Sequence, residues 1–346
     1  MCNLPPCWLF STSLVRNSTP SNLYKPNTAT EGKQRNAWVK LGQAVRMAQA
    51  LGLSFEPSKT LSWVDQEEFR RTFWSLYLLD RMATCGRDRP PSFDDRACTV
   101  QLPCSEESLR HNEPEKTEKL SKYTQGQEYD LPNPSPFARV IIVSSILSKC
   151  SQYAIQGFES DANIAPWDAS SEYQRLSSSL LSLESQLQFQ TPLETALEVY
   201  KENSPSRRYC GEPLIISYAL YHLCHCLLNH FFLVRQRLTL CSKNPPQSFI
   251  QRLLDNNRVH ASSLTQSLMD SLAAGCTVKA SFIGYCCFMA ALMHGVNCKS
   301  QDAQIRQSSE KYFKFSLQFL KRSRLYWPSF DLMVCTQGQA RSLHDY

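Results

Sequence analysis

The residues with the greatest chemical potential in this 346-residue chain are its 15 cysteines and seven histidines. Thiolates and imidazoles are the usual zinc ligands. Structural zinc sites usually set two cysteines with two residues between them, so that both sulfurs reach one tetrahedral ion. No such pair occurs here. Cys2 and Cys7 are separated by four residues that include Pro5 and Pro6. His222, Cys226 and His230 recur every four residues and share one helix face. One face supplies only a partial ligand set, and a packed core helix accounts for the same residues. They stand as a weak metal alternative. The odd cysteine count argues against a complete set of internal disulfides. Cys150, Cys224, Cys226, Cys276, Cys286 and Cys287 lie in apolar runs, where a free thiol behaves as a small hydrophobe. That pattern fits a reducing compartment.

A second constellation is Asp80 with Arg81, Arg87 and Arg89. A carboxylate near a helix C-terminus opposes the macrodipole. An arginine can compensate through two parallel hydrogen bonds. The spacing predicts that Asp80 pairs with Arg89 or Arg87, folding the Pro90-Pro91 turn back onto the helix as a structural clamp. The alternative is that Arg87 and Arg89 face a pocket for an anionic effector. No catalytic signature accompanies them: no glycine-flanked nucleophilic serine, no phosphate loop, no dinucleotide fingerprint and no paired-histidine metalloprotease helix. The chain reads as a non-enzyme.

The elements that position these residues are helical. Asn36 to Gly52 carries Trp38, Leu41, Val45, Ala48 and Leu51 at spacings of three and four. Gly52 suits the left-handed position that ends a helix. A second helix is expected from Asp65, capped by Asp65 and Glu68, to about Thr84. Phe69, Phe73, Leu76 and Tyr77 form its apolar stripe and Trp74 widens it. Arg70 and Arg71 fall away from that stripe. Gly86 and Pro90-Pro91 stop the helix. Further helices are expected over 137–158, 170–187, 212–240, 246–274, 279–297 and 305–326. No strand alternation and no internal repeat stands out. The fold class is all-α, a large irregular multi-helix domain.

Composition agrees. Only 11 residues are glycine, and 42% are hydrophobic. Thirty-seven cations against 31 anions leave a net charge of +6, mild for a nucleic-acid-binding domain. Arg207-Arg208 and Lys321-Arg322-Ser323-Arg324 are short basic patches that suit solvated helix ends. Leu214–Val234 and Ala280–Cys298 lack charged residues over spans long enough for a bilayer. Yet His222, His225, Asn229 and His230 are costly in hydrocarbon, so buried core helices explain these runs and no membrane partner is expected. Leu4–Leu14 makes a poor signal peptide, because no basic flank precedes it and prolines break it.

The most specific stretch runs AWVKLGQAVRMAQALGLSFEP, then QEEFRRTFWSLYLLDRMATCGRDRPPSFDD, then CTVQLPC. It resembles the middle homology region of fungal zinc-cluster transcription factors. The likeness includes Leu51-Gly52-Leu53, Glu68 with Arg70-Arg71, Trp74, Asp80-Arg81, Gly86 to Pro90, and Leu102-Pro103. Weaker similarity continues through Pro136 to Arg139, Pro166 to Asp168 and Tyr221-His222. The resemblance implies a helical regulatory domain, a nuclear location with the cytoplasm as alternative, and no enzymatic activity. It implies protein partners in the transcription machinery or a full-length relative, and a small-molecule effector. The family's six-cysteine zinc cluster is absent, so no cofactor is expected in this chain, and DNA binding only if a zinc cluster is supplied elsewhere. On this reading residues 1–34 are a disordered or loop lead-in. Residues 35–103 are the later part of the regulatory domain, and 104–135 are a polar linker or surface loop. Residues 136–346 form a C-terminal helical region packed on the same domain. The rival reading is a helical metabolic enzyme or ligand-binding protein without a recognised motif.

Overall fold

The computed structural model describes residues 28–86, 89–125, 133–155, 164–198, 205–240, 244–276 and 278–323. Their helices are α1 (Thr28–Ala50), α2 (Trp63–Thr84), α3 (Glu106–His111), α4 (Leu120–Gln125), α5 (Pro136–Ile155) and α6 (Glu172–Gln186). There follow α7 (Leu193–Leu197), α8 (Pro205–Leu228), α9 (Phe231–Leu240), α10 (Gln247–Ala273), α11 (Phe282–Asn297) and α12 (Ala303–Ser323). A 3-10 turn spans Asp95–Ala97. Among the described residues the only extended pairing is an isolated bridge between Gln101 and Lys119. The architecture is all-α.

The core is built on α5 and α8, the most extensively packed pair. α8 is buried without a break from Gly211 to Asn229. α10 and α11 cover it on one side, and α12 closes over α11. α2 lies across α5, and α1 packs on α2. No helix among the described residues is long and apolar enough to cross a membrane. The uncharged runs sit inside the protein: Ile215, Ala219, Leu220, Leu223, Ala290 and Ala291 are all fully enclosed.

Local chemistry explains the boundaries. α1 ends where Gly52 adopts φ +65°, and Leu53 N–H closes back on Ala48 O at 2.9 Å. Its start is earlier than the expected Asn36, so residues 28–34 of the expected lead-in are helical. α2 starts two residues before the expected Asp65. Its cap is Ser62, whose hydroxyl accepts from Asp65 N–H and donates to the Asp65 carboxylate at 2.6 Å. Asp65 is therefore the third residue of the helix, in the N3 position, rather than its cap. In α6 the expected stripe is buried in full: Tyr173, Leu176, Leu180, Leu183 and the following Leu187.

Two expectations need correction. The single helix over 212–240 is broken between Leu228 and Phe231. Asn229 turns its side chain back on His225 O at 2.9 Å and accepts from Tyr173 at 2.8 Å. A side-chain amide that serves local backbone competes with helix continuation. The described part of 104–135 is not a solvated linker. It carries α3 and α4, buries Leu120 and Tyr123 in the common core and encloses Cys104. The polar composition reflects its outer face, while those three side chains anchor it.

Candidate functional site

The polar chemistry of the chain concentrates along α2, in two buried layers. The outer layer is built on Glu67. Its side chain is 1% exposed. Its Oε1 accepts from Arg71 Nε at 2.9 Å and from Cys104 N–H at 3.0 Å. Arg71 then donates to Cys104 O at 3.0 Å and to Glu106 Oε1 at 2.5 Å. Burial disfavours the Arg71 charge, but Glu106 and Glu67 outweigh it and hold the guanidinium protonated. Arg70 forks onto Glu56 Oε2, at 3.2 and 2.8 Å. Trp74 Nε1 donates to Gln101 O at 2.7 Å. The effect is to bind 101–106 against α2.

The inner layer is built on Asp95. Its Oδ1 accepts from Tyr77 at 2.6 Å and Arg81 at 2.7 Å, and its Oδ2 from Ser145 on α5 at 2.6 Å. Burial would raise the Asp95 carboxyl, but Arg81 and these hydroxyls hold it below the usual aspartate range. Arg81 also donates to Phe93 O at 2.6 Å and lies 4.3 Å from the centre of the Tyr77 ring.

Asp80 is fully enclosed. Its Oδ2 accepts from Ser92 N–H at 2.8 Å, from Phe93 N–H at 3.3 Å and from Arg81 at 3.3 Å. The turn is thus drawn back to the helix by backbone amides together with the adjacent arginine. Arg89 does not join it: its guanidinium lies over the Trp38 ring at 4.9 Å. An aromatic face on α1 holds the arginine away from the carboxylate. Arg87 lies outside the described residues. Arg70 and Arg71, expected off the stripe, are buried because Glu56, Glu67 and Glu106 neutralise them. Glu56 and Glu106 come from outside the helix, so periodicity along α2 carries no sign of them. The Asp95 hub escaped notice for the same reason, since it lies in a turn with no repeating pattern.

The histidines form a different arrangement from the expected face. His222 Nδ1 lies 3.0 Å from His260 Nδ1 on α10. The His225 ring stacks on His260 with centroids 3.6 Å apart and planes within 1°. Burial lowers all three, His222 to about 3 and His260 to about 4. They are neutral in the fold. Cys226 is enclosed, its thiol pushed up to about 12 by burial. His230 lies beyond the end of α8, its ring centre 6.0 Å from that of Phe232. His222, Cys226 and His230 are therefore not brought to one centre. Among the described residues no group of three His, Cys, Asp or Glu side chains is arranged to hold a metal ion.

Both layers are occupied by contacts within the chain, so the block is organised as scaffold. Its residues coincide with a known domain: residues 28–202, half of the chain, match the fungal specific transcription factor domain. The chain belongs to that family. Members similar to it include the Zn(2)-C6 fungal-type transcription factor FTF1c of Fusarium oxysporum f. sp. lycopersici, 26% identical over 321 residues. That alignment covers 86% of this chain and 33% of the relative. The Fusarium factor FTF2 is 25% identical, over 86% of this chain and 29% of its own length. An uncharacterized transcriptional regulatory protein of Schizosaccharomyces pombe is 25% identical, over 87% of this chain and 48% of its own. The chain thus spans about a third of the length of the Fusarium relatives. No solved structure matches. The fungal transcription factor domain here keeps its polar block inside, joining α2 to α5 and to the 101–106 crossing.

Proposed function

We propose that this chain is the regulatory domain of a fungal transcription regulator, acting through protein or effector contacts in the nucleus. The observation that carries it is the family match over residues 28–202, joined to a polar block whose described charges are engaged within the fold. A scaffold of this kind presents its outer helices to partners and needs no reaction chemistry of its own. The chain requires no metal and does not read DNA alone. The partners are proteins of the transcription machinery or a full-length relative. Arg87 and Arg89 are the residues through which an anionic effector would act.

The test is a reporter assay with the whole chain fused to an unrelated DNA-binding domain. Output should change relative to that domain alone. Purified chain should show no base-specific affinity at physiological salt. Sequence-specific binding by the chain itself, or an inert fusion that is expressed and folded, would overturn the proposal.

A further inference from the structure

α1 presents two apolar faces, and the protein covers only one. Val45 and Ala48 are buried against α2. On the opposite side Val39, Met47 and Leu51 are exposed by 56%, 65% and 68%. They follow Val39, Gln43, Met47 and Leu51 at four-residue spacing, so they line one stripe. Phe55 extends it past the helix end, 58% exposed, with its ring 3.8 Å from the side-chain position of Gly52. The face is apolar apart from the exposed Gln43, and a mainly apolar face on a surface helix marks a contact site.

We propose that this stripe is the seat of the chain's own N-terminal segment, Leu4 to Val15. Three observations select that occupant. The segment holds Leu4, Trp8, Leu9, Phe10, Leu14 and Val15 and no charged residue. Such a run needs a covering surface. The tether is long enough: twelve residues, Arg16 to Asn27, reach about 40 Å when extended, against a length of about 34 Å for α1. A segment tied this closely also has a high effective concentration at the stripe. Charge disfavours a second copy. Lys40 and Arg46 are the only charged residues from Asn36 to Phe55. Two copies of this face would bring like charges together, whereas an uncharged segment meets no repulsion. The inference does not depend on the regulatory reading above.

The test uses the full chain with Met47 replaced by the photo-crosslinker p-benzoylphenylalanine, a position exposed enough to accept it. Irradiation should join residue 47 to the peptide containing residues 4–15. The product should remain a monomer, with a yield independent of protein concentration. The double variant W8S/F10S should abolish the crosslink and lower the melting temperature by no more than a few degrees, leaving the chain folded. In the natural chain, amide exchange over residues 36–52 should be about tenfold slower than in W8S/F10S. A covalent dimer whose yield rises with concentration would overturn the proposal in favour of a second copy. So would a crosslink to nothing within residues 1–27, a crosslink that survives W8S/F10S, or equal exchange in the two chains.

Discussion

Glu67 and Arg71, one turn apart on α2, together satisfy both backbone groups of Cys104. Glu67 accepts its N–H and Arg71 donates to its carbonyl, while the two side chains meet at 2.9 Å. The pair therefore fixes a chain crossing more than thirty residues away. Arg71→Leu would leave the buried Glu67 carboxylate with Arg70 at 3.6 Å as its remaining cation, and would unpair the Cys104 carbonyl. Loss of one partner of a buried pair costs about 3–5 kcal/mol, and that is the expected loss in urea denaturation. Arg71→Lys should recover only part of it, because an ammonium cannot reproduce the fork to Glu67, Glu106 and Cys104. A leucine variant within about 1 kcal/mol of the parent would show that this pair does not hold the crossing.

The helices were legible because their stripes repeat within a single element. Trp38, Leu41, Val45 and Ala48 identify α1, and Tyr173 through Leu187 identify α6, with no reference to anything distant. The family was legible from the wording of residues 37–103. The polar block was not. Arg71 lies off the apolar stripe of α2 and looks solvated until Glu106 is brought to it across 35 residues. The place of Asp80 near a helix end marks it as needing a partner across the turn. Its partners are amides of Ser92 and Phe93, which no side-chain pattern reveals. His260 lies alone on α10, and only tertiary packing places it against His222 and His225. Local periodicity encodes the elements, while charge pairing between elements is read only from the fold.

Asp95 supports a second prediction. It joins Tyr77 and Arg81 on α2 to Ser145 on α5. Asp95→Asn keeps the shape but removes the charge that opposes Arg81, a residue only 2% exposed. Hydrogen bonds to charged groups contribute about 1.5–3 kcal/mol, so the variant should lose about that much in denaturant unfolding. Ser145→Ala removes one neutral donor and should lose less. Equal losses would mean that the Arg81 charge is balanced elsewhere.

Gly86 supports a third. It ends the α2 turn with φ +73°, and its N–H donates to Ser151 at 2.9 Å. A Cβ there would lie 2.7 Å from the hydroxyl oxygen of Tyr285. Gly86→Ala therefore carries two burdens. The left-handed backbone costs about 1–2 kcal/mol, and the clash adds to it. Tyr285→Phe, which removes the oxygen but keeps a ring carbon 3.3 Å away, should relieve most of the second and leave the first. Thermal melting of Gly86→Ala with and without Tyr285→Phe reads the difference. If the second substitution gives no relief, the close approach to Tyr285 is not what excludes a side chain.

The histidines give a prediction in pH. His222 is lowered to about 3 by burial and by its neighbour His260, which burial itself lowers to about 4. Unfolded, each would titrate near 6.5. Above that value both states are neutral and stability is independent of these groups. As pH falls below 6.5 the unfolded chain takes up protons that the fold refuses, so stability drops. The loss continues until pH reaches the folded values. Between pH 7 and pH 5 each such histidine should contribute a loss of about 1–2 kcal/mol. Asp95 and Glu115 are lowered carboxyls, whose stabilising effect is lost only around and below the ordinary carboxylate range. Glu212, a carboxyl raised by burial, acts in the opposite sense and adds stability as pH falls, and it is common to parent and variant. His230 and His294 are also lowered by burial, so some slope should persist without the cluster. The double variant His222→Asn/His260→Gln should therefore show a shallower decline than the parent between pH 7 and pH 5, measured by urea unfolding at each pH. Parallel declines would show that the cluster does not resist protonation.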